Sequence, residues 1–493
     1  MLAAARTYAL LGVDAREVRV EADVRTGLPC FALVGLPDAA VREARERVRA
    51  AVVNSGFEFP QRRITANLAP ADLRKAGPGF DLALAAALLA ATGQLPEGVL
   101  ADVALAGELA LDGSVRPVPG ALAMAEAARQ AKLRALVLPT ASAREAALVA
   151  DGALVPVDRL EQLKHLGRNS EPQAPPAPHS PGDAGVATDG DLAELRGQPA
   201  LRRALEIAAA GAHSLLIAGP PGAGKSLAAR RLPSLLPPLE PAEAIEAARV
   251  ASACGRPVEA AVAGRRPFRA PHHTISIAGL VGGGNPPRPG EATLAHRGVL
   301  FLDELPEFAR NALEALRQPV EDGVIRVTRA RYAIELPCRF QLVATANPCP
   351  CGRGARSGEC TCDAGSIRAY EAKLTGALAD RIDISLPVDQ PDLGLFSEPG
   401  EGSATVRERV LAARERQTIR ADRPNGELDA RLIELGPEVD RMLADAGMRT
   451  GLSGRGRARV IRVARTIADL AGAERVGCEH VAEAIALRRR ERG

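Results

Sequence analysis

Residues 214–232 read SLLIAGPPGAGKSLAARRL, and this stretch decides the fold. Its first part is an apolar run typical of a buried strand, and its last part is an alanine-rich run typical of a helix. Between them, the spacing G-x-x-x-x-G-K-[ST] predicts a phosphate-binding loop. The residues of this loop are Gly219, Pro220, Pro221, Gly222, Ala223, Gly224, Lys225 and Ser226.

The loop is suited to a nucleoside triphosphate that carries Mg²⁺. Its glycines let backbone N–H groups wrap the phosphates, and the N-terminus of the following helix adds a positive end. Lys225 is expected to reach the β- and γ-phosphates, and Ser226 is expected to ligate Mg²⁺. Lysine is rare in this chain, and one of its five lysines stands where the motif requires it.

A second stretch, residues 298–304, reads GVLFLDE. Apolar residues that lead into two acids are typical of a buried strand that ends at the ligand side of a sheet. Asp303 is then expected to hold Mg²⁺ through water, and Glu304 to polarise the attacking water. Alone, such a run fits an ordinary strand end equally well. Behind a phosphate-binding loop it predicts NTP hydrolysis, because phosphoryl transfer depends mainly on positioning and charge neutralisation.

Three further polar residues are candidates for the same site. Residues 341–347, QLVATAN, predict a strand between the other two, with Asn347 orienting the attacking water; an Asn-Pro turn is the alternative. Arg381 lies just before a short predicted strand, and Arg455 lies at the start of a predicted helix. An arginine from a neighbouring subunit can accelerate phosphoryl transfer about 10³–10⁵-fold. For each arginine, a salt bridge is the alternative.

Four of the eight cysteines lie in residues 347–362, NPCPCGRGARSGECTC. Zn²⁺ prefers thiolate ligands, and a short loop without a core needs such a cross-link. C-x-C pairs are less diagnostic than C-x-x-C pairs, so reduced thiols in a plain loop and a redox pair stay as alternatives. The predicted zinc ligands are Cys349, Cys351, Cys360 and Cys362.

Composition indicates a soluble protein of several domains. At 493 residues the chain is too long for one core, and 46% hydrophobic with 25% charged residues is a globular composition. The longest apolar stretch, residues 82–92, is far shorter than the roughly 20 residues of a membrane span. The N-terminus has no basic leader with a cleavage site, so we expect a cytoplasmic protein without a membrane partner.

Residues 170–190 are rich in Pro, Ala and Gly and predict an extended linker. Strand-like and helix-like segments alternate on both sides of it, whereas charged amphipathic segments take over from residue 396. We therefore predict an α/β domain at 1–168, a flexible linker at 169–190, an α/β core with a parallel sheet at 191–395, and a helical domain at 396–493.

The net charge of +3 means that any grip on nucleic acid must come from local basic patches. Residues 323–340, GVIRVTRARYAIELPCRF, alternate as a hairpin does, with arginines near the turn. Such arginines hold phosphates without reading sequence. The DNA-contact candidates are Arg326, Arg329 and Arg331, and a solvated hairpin tip is the alternative.

Taken together, the loop motif, GVLFLDELPEF, ATANPCPCG, ADRIDI and SGRGRARVIRVARTIADLA resemble the magnesium-chelatase-like AAA+ ATPases of bacteria, the ComM and YifB group. The resemblance covers nearly the whole chain. It implies a homo-oligomeric ring, with six subunits as the family expectation, that uses ATP and Mg²⁺. Lys225, Asp303, Glu304 and Asn347 would act in one subunit. Arg381 would be the finger donated by the next subunit, and Arg455 the sensor on a helical lid.

For this group the implied activity is ATP-driven DNA branch migration, a helicase activity, during natural transformation. A chelatase-type motor and a protein-remodelling ATPase are the alternatives. The N-terminal domain resembles the Lon protease domain, but Gly79 stands where the nucleophilic serine is expected, and Leu122 and Met124 stand where lysines are expected. Since a peptidase needs both groups, we expect a binding or assembly module.

Overall fold

The computed structural model describes residues 1–150, 152–166, 190–329, 332–354, 360–374, 378–391, 394 and 400–488. The predicted linker at 169–190 lies outside the described residues, apart from Gly190. On either side of it the chain is mixed α/β, and the C-terminal part is helical. The division into α/β and helical regions therefore follows the sequence pattern.

The N-terminal domain is built on a seven-stranded mixed sheet with the order β3-β4-β2-β1-β5-β8-β9. In its second strand Val18, Val20, Ala22 and Val24 are buried and alternate with charged residues, as expected when one face of a sheet meets a core. The strands of this sheet are β1 (Leu2–Leu11), β2 (Asp14–Arg25), β3 (Cys30–Val34), β4 (Arg63–Ala69), β5 (Val103–Leu105), β8 (Ala135–Leu138) and β9 (Ala153–Pro156), and β6 (Glu108–Leu109) and β7 (Val115–Arg116) pair separately.

The helices of this domain are α1 (Ala39–Asn54), α2 (Asp81–Ala91), α3 (Ala121–Gln130) and α4 (Thr140–Ala146). Helix α2 is buried on nearly all sides, which explains the longest apolar stretch of the chain. At its start the buried Asp81 carboxylate accepts a hydrogen bond from Arg47 Nε at 2.7 Å. The apolar run is therefore the centre of a domain core.

The central domain contains a five-stranded parallel sheet with the order β11-β12-β15-β10-β16. Every residue of β12 and β15 is buried, as expected for strands covered on both faces. The strands of this sheet are β10 (Leu215–Ala218), β11 (Phe268–Arg269), β12 (Val299–Leu302), β15 (Gln341–Ala346) and β16 (Ile384–Pro387), and β13 (Val324–Arg329) and β14 (Tyr332–Pro337) form a separate two-stranded sheet. The prediction that the QLVATAN strand lies between the other two is confirmed.

The helices of the central domain are α5 (Pro199–Gly211), α6 (Lys225–Arg231), α7 (Pro241–Ala253), α8 (Glu259–Val262), α9 (Ile277–Val281), α10 (Glu291–Leu294), α11 (Arg310–Ala315), α12 (Arg317–Asp322) and α13 (Ala364–Leu374). The C-terminal region adds α14 (Ser403–Ala421), α15 (Pro437–Thr450), α16 (Gly454–Leu470) and α17 (Cys478–Ala486). Helices α14 and α16 pack on α5, and Gln417 Nε2 donates to the Ala210 carbonyl at 3.1 Å. Across the described ranges, every helix is too short or too polar to serve as a membrane span.

The N-terminal domain docks on the central domain through α3 and α7. The Gly120 amide donates to the Ser252 carbonyl at 2.8 Å. Arg249, on α7, forms ion pairs with Asp14 and with Glu126, the latter at 3.3 Å. Backbone, ionic and apolar contacts therefore join the two domains.

Candidate functional site

The phosphate-binding loop connects the end of β10 to the first residue of α6. Gly222 and Gly224 have φ angles of +83° and +80°, a conformation that side chains with a Cβ rarely adopt. Lys225 is largely buried, and its Nζ donates to the carbonyls of Gly219 at 2.7 Å and Pro220 at 2.9 Å. The loop is thus closed around its own lysine.

The Lys225 ammonium faces three polar groups from the neighbouring strand ends. Its Nζ also donates to Asn347 Oδ1 at 3.1 Å. Burial lowers the pKa of Lys225 below its usual value, while Asp303 and Glu304 favour the charged form. The strands therefore bring one cation, two acids and an amide to the same edge of the sheet.

Asp303 lies beside the serine of the loop. The Ser226 hydroxyl donates to Asp303, with its Oγ 2.9 Å from Oδ1 and 3.1 Å from Oδ2. The buried Thr345 hydroxyl donates to Asp303 Oδ1 at 2.5 Å and accepts from the Glu304 amide at 2.9 Å. A hydroxyl and a carboxylate side by side are the oxygen ligands that suit Mg²⁺.

Glu304 and Asn347 form the outer part of the pocket. Asn347 Nδ2 donates to Glu304 Oε1 at 3.3 Å. Glu304 has a φ of +55°, unusual for a residue with a side chain, and such backbone strain clusters at functional sites. The backbone amide of Asn347 donates to the Tyr370 hydroxyl at 3.2 Å. Burial raises the pKa of that hydroxyl to about 12. The tyrosine is therefore a neutral acceptor that fixes the strand end.

Sequence reasoning did not identify Thr345 or Tyr370 as parts of this site. Thr345 stands in a fully buried strand, so its hydroxyl needs a partner, and this was a usable signal. Tyr370 lies on α13, and its sequence separation from Asn347 gave no indication of contact.

Arg381 lies at the amino end of the parallel strands, opposite the carboxyl end that carries the loop. Strand β16 begins at Ile384, beside the first residue of β10, whereas Lys225 follows the end of β10. The side chain of Arg381 is 11% exposed and pairs with Glu321 at 2.9 Å. The four residues of β10 separate the two ends by about 13 Å. Arg381 is thus remote from the loop of its own chain.

Arg455 lies in the first turn of α16 and is exposed. One turn later, Arg459 Nε lies 3.3 Å from Asp383 Oδ1, just before β16. Oδ2 of the same carboxylate lies 3.4 Å from His213 Nδ1. Burial raises the pKa of Asp383, but the His213 imidazole and the nearby arginines outweigh this effect, so the pKa is lowered. The ion pair between Arg459 and Asp383 joins the helical region to the sheet.

The predicted basic hairpin is present as β13 and β14, joined by two residues. Arg326 Nε lies 2.9 Å from Glu335 Oε1, and its Nη1 lies 3.0 Å from Asp322 Oδ2. Arg329 is the last residue of β13, and Arg331 lies outside the described residues. Arg326 therefore already has two acidic partners.

The apolar face of the hairpin packs against the N-terminal domain. Leu336 is buried, and a Cβ atom built on Gly12, in the β1–β2 turn, would lie 2.7 Å from Leu336 Cδ2. Gly12 also has a φ of +67°, so this position of the turn favours glycine.

The four cysteines of the loop after Asn347 converge. Their sulfur atoms all lie within 4.8 Å of one another, and they are the one set of three or more potential metal ligands found in the described part of the chain. Cys349 Sγ lies 3.3 Å from Cys351 Sγ and 3.7 Å from Cys360 Sγ. Hydrogen bonding from the Arg353 amide lowers the pKa of Cys351 to about 6, whereas burial and the neighbouring sulfur atoms raise the pKa of Cys362 to about 12. The set is completed by Cys362.

The two positions where Lon-like lysines are expected lie in different surroundings. Met124 packs inside the N-terminal domain. Leu122 is fully buried, and the other buried members of its cluster all come from the central domain: Leu239, Ala244, Ala247, Ala248, Val258 and Ala261. Gly79 has no side chain to offer a nucleophile, so neither half of a serine–lysine pair is present at these positions.

The loop, the acidic strand end and the polar strand end meet at the carboxyl end of a parallel sheet, which is the arrangement of P-loop proteins. Three family models match this chain: magnesium chelatase, subunit ChlI, over residues 191–394; subunit ChlI of Mg-chelatase over residues 20–142; and magnesium chelatase, subunit ChlI C-terminal, over residues 400–488. The match to the first model covers the whole P-loop site.

Similarity to individual proteins extends over the full length. The uncharacterized protein YifB of Salmonella typhimurium is 43% identical over 99% of this chain and 97% of its own length. The competence protein ComM of Haemophilus influenzae is also 43% identical, over 99% of this chain and 97% of its own length. A Lon protease of Azorhizobium caulinodans is 26% identical over 31% of this chain and 19% of its own length. The chain belongs to the magnesium-chelatase-like AAA+ family of the ComM and YifB proteins.

Proposed function

We propose that the protein is an ATP-driven, ring-forming DNA motor that performs helicase or branch-migration work in recombination during natural transformation. The observation that carries this proposal is the convergence of Lys225, Asp303, Glu304 and Asn347 at one sheet edge. Full-length similarity to a competence protein supports the biological setting.

In ATP hydrolysis the loop amides and Lys225 would hold the phosphates, and Ser226 and Asp303 would hold Mg²⁺. The bound Mg²⁺ would neutralise charge on the phosphate oxygens. Glu304 would accept a proton from the attacking water, and Asn347 would orient that water. The hydrogen bond between Asn347 and Glu304 supports this division of roles, since it holds both groups on one side of the pocket.

Assembly into a ring of six is proposed from the arginines and the family. Arg381 is too far from its own P-loop to contact a nucleotide there, so its use as a finger requires a neighbouring subunit. For this role its ion pair with Glu321 must give way to the nucleotide of the neighbour. Arg455, exposed at the start of α16, is proposed as the sensor on the lid.

DNA is proposed to lie against the β13–β14 hairpin. Because Arg326 is neutralised by two acids, we assign the phosphate contacts chiefly to Arg329 and Arg331 at the tip. With Arg326 at its base, the hairpin would track the backbone without reading bases.

The four cysteines are proposed to hold a structural Zn²⁺. In a tetrahedral site with Zn–S bonds of about 2.3 Å, the sulfur atoms lie about 3.8 Å apart. Two of the observed separations are 3.7 Å and one is 3.3 Å, close to this value. Four thiolates are a common ligand set of structural zinc sites, which supports this metal over Mg²⁺.

The test is ATP hydrolysis by the full chain with single-stranded, duplex or four-way-junction DNA, together with the strand-exchange products. We expect DNA to stimulate hydrolysis and the junction to be migrated. Glu304→Gln should keep nucleotide binding and lower hydrolysis at least about 100-fold; Glu307→Gln, an exposed acid three residues later, is the matched control. ATP hydrolysis without any effect of DNA would favour a chelatase-type or protein-remodelling motor instead.

A further inference from the structure

The cysteine loop packs directly on the phosphate-binding loop. Gly352 has a φ of +81°, and a Cβ atom built on it would lie 2.8 Å from Pro221 Cγ and 3.1 Å from Pro221 Cδ. Pro221 lies within the phosphate-binding loop: its preceding residue, Pro220, accepts a hydrogen bond from Lys225, and its following residue, Gly222, has a φ of +83°. The turn that follows Cys351 therefore forms an outer wall of the loop that would cradle the phosphates.

The segment that follows the cysteines is tied to the other two parts of the site. Tyr370, on α13, accepts from the amide of Asn347 at 3.2 Å. One turn later, Lys373 Nζ donates to the Pro306 carbonyl at 2.6 Å, two residues beyond Glu304. Residues 348–374 thus touch the P-loop, the polar strand end and the turn after the acidic strand.

The cysteine cluster supplies side-chain contacts in the part of this segment that precedes α13. Among the described residues from 348 to 363, the most deeply buried side chain is that of Cys349, which is 1% exposed. The interior of the loop is therefore formed by a cysteine and not by a cluster of apolar side chains. Contacts within the loop run between sulfur atoms, and the backbone amides of Cys351 and Gly354 donate to Cys362 Sγ and Cys349 Sγ. A metal bound by such a cluster contributes its binding free energy to local folding.

We propose that a thiophilic divalent ion, Zn²⁺, bound by Cys349, Cys351, Cys360 and Cys362 sets the nucleotide affinity of the P-loop by holding Gly352 against Pro221. This inference rests on the proposed nucleotide site. Without the ion, the wall at Pro221 is lost, the loop amides are no longer preorganised, and phosphate binding weakens. Groups that orient metal ligands from outside are typically worth about 10–100-fold in metal affinity or activity, and we expect this support of the phosphate loop to be worth about tenfold in nucleotide affinity.

The test uses the full chain and measures metal content and the Kd for a fluorescent ATP analogue with Mg²⁺. We expect about one zinc per chain, as one four-sulfur site predicts. Removal of the zinc with a zinc-selective chelator should weaken binding at least about tenfold. Added Zn²⁺, but not added Mg²⁺, should restore it. Equal affinity of the stripped and loaded protein, or a purified protein that takes up no zinc, would overturn the inference.

Two variants separate the metal from the contact. Cys360→Ser with Cys362→Ser should lose zinc and affinity together, while the exposed Cys30→Ser keeps both. Gly352→Ala should keep zinc but weaken nucleotide binding, because a Cβ at φ +81° is strained and also lies too close to Pro221, so the turn must move away from the loop. If the double serine variant does not fold, Gly352→Ala still decides, since unchanged affinity there contradicts the inference. A zinc-loaded wild type that binds no nucleotide would instead refute the proposed ATP site.

Discussion

Asn347 Oδ1 accepts a hydrogen bond from Lys225 Nζ at 3.1 Å, although 122 residues separate the two along the chain. The contact exists because β15 and β10 are parallel neighbours and end at the same edge of the sheet. It joins the group proposed to bind phosphate with the group proposed to orient water, and the two roles can be separated by mutation.

Lys225→Ala should weaken nucleotide binding at least about tenfold, because the variant has no ammonium group to hydrogen-bond the phosphates. Asn347→Ala should leave the Kd within about threefold but lower kcat about 100-fold, because its contribution is made in the transition state. Nucleotide binding and single-turnover hydrolysis measure the two effects. The exposed Lys132→Ala is the control for removal of a lysine. A loss of binding in the Asn347 variant equal to that of the Lys225 variant would contradict the separation of roles.

Arg381→Ala alone should lower hydrolysis by about 10³-fold or more if the arginine acts as a finger. Mixing Arg381→Ala with Lys225→Ala subunits should restore part of the activity, because some shared interfaces then contain an intact loop and an intact arginine. Mixing Lys225→Ala with Glu304→Gln subunits is the matched control, since both changes damage the same side of the interface. Recovery only in the first mixture supports action in trans; recovery in neither, with normal assembly, counts against it.

Arg329→Ala with Arg331→Ala should reduce DNA-stimulated hydrolysis. The salt dependence of DNA binding should also become less steep, by roughly one unit of slope for each arginine that no longer neutralises a phosphate. Basal hydrolysis should stay unchanged, because the hairpin lies apart from the P-loop edge. Arg326→Ala is the internal control, since that guanidinium is paired with Asp322 and Glu335 and should matter less. If Arg326→Ala reduced DNA-stimulated hydrolysis as much as the double variant does, the hairpin tip would have no special role.

The free energy of unfolding should reveal how firmly Leu122 anchors the N-terminal domain. Leu122→Lys would place an ammonium in a cluster of apolar residues from α7 and its neighbours, and we expect a loss of about 3 kcal/mol or more. Leu111→Lys, at a leucine that is 58% exposed, is the control. The midpoint of urea unfolding measures both, and Leu122→Ala, with an expected cost of about 2–5 kcal/mol, serves if the lysine variant does not accumulate. A midpoint equal to wild type would contradict the docking role.

The sequence allowed prediction of those parts of the site that follow from local pattern. The P-loop, the acidic strand end and the position of β15 all rest on apolar runs that end in chemically distinctive residues. Strand β11, only two residues long, is too short for any periodicity to reveal. Tyr370 and Thr345 were missed because their roles arise from contacts between distant segments.

Side-chain pairing was the other limit. Arg326 reads as a free cation on a hairpin, yet its cross-strand neighbour Glu335 and the preceding Asp322 neutralise it. Leu122 is one of two residues that stand where a Lon-like lysine is expected, and its partners on α7 could be found only from the tertiary structure. Local pattern thus indicates which groups are present, while packing decides which of them are available.

The burial of Leu122 against the central domain has a chemical consequence. Leu122 stands at one of the two positions where the resemblance to Lon proteases leads us to expect a lysine, and this position is part of the packing between the two domains. A substitution of Leu122 by lysine would supply a base without a nucleophile and would also disrupt the docking of α3 on α7. Every apolar side chain packed around Leu122 adds to the free-energy cost of burying a charge there, so the contact between the two domains itself opposes a peptidase lysine at this position.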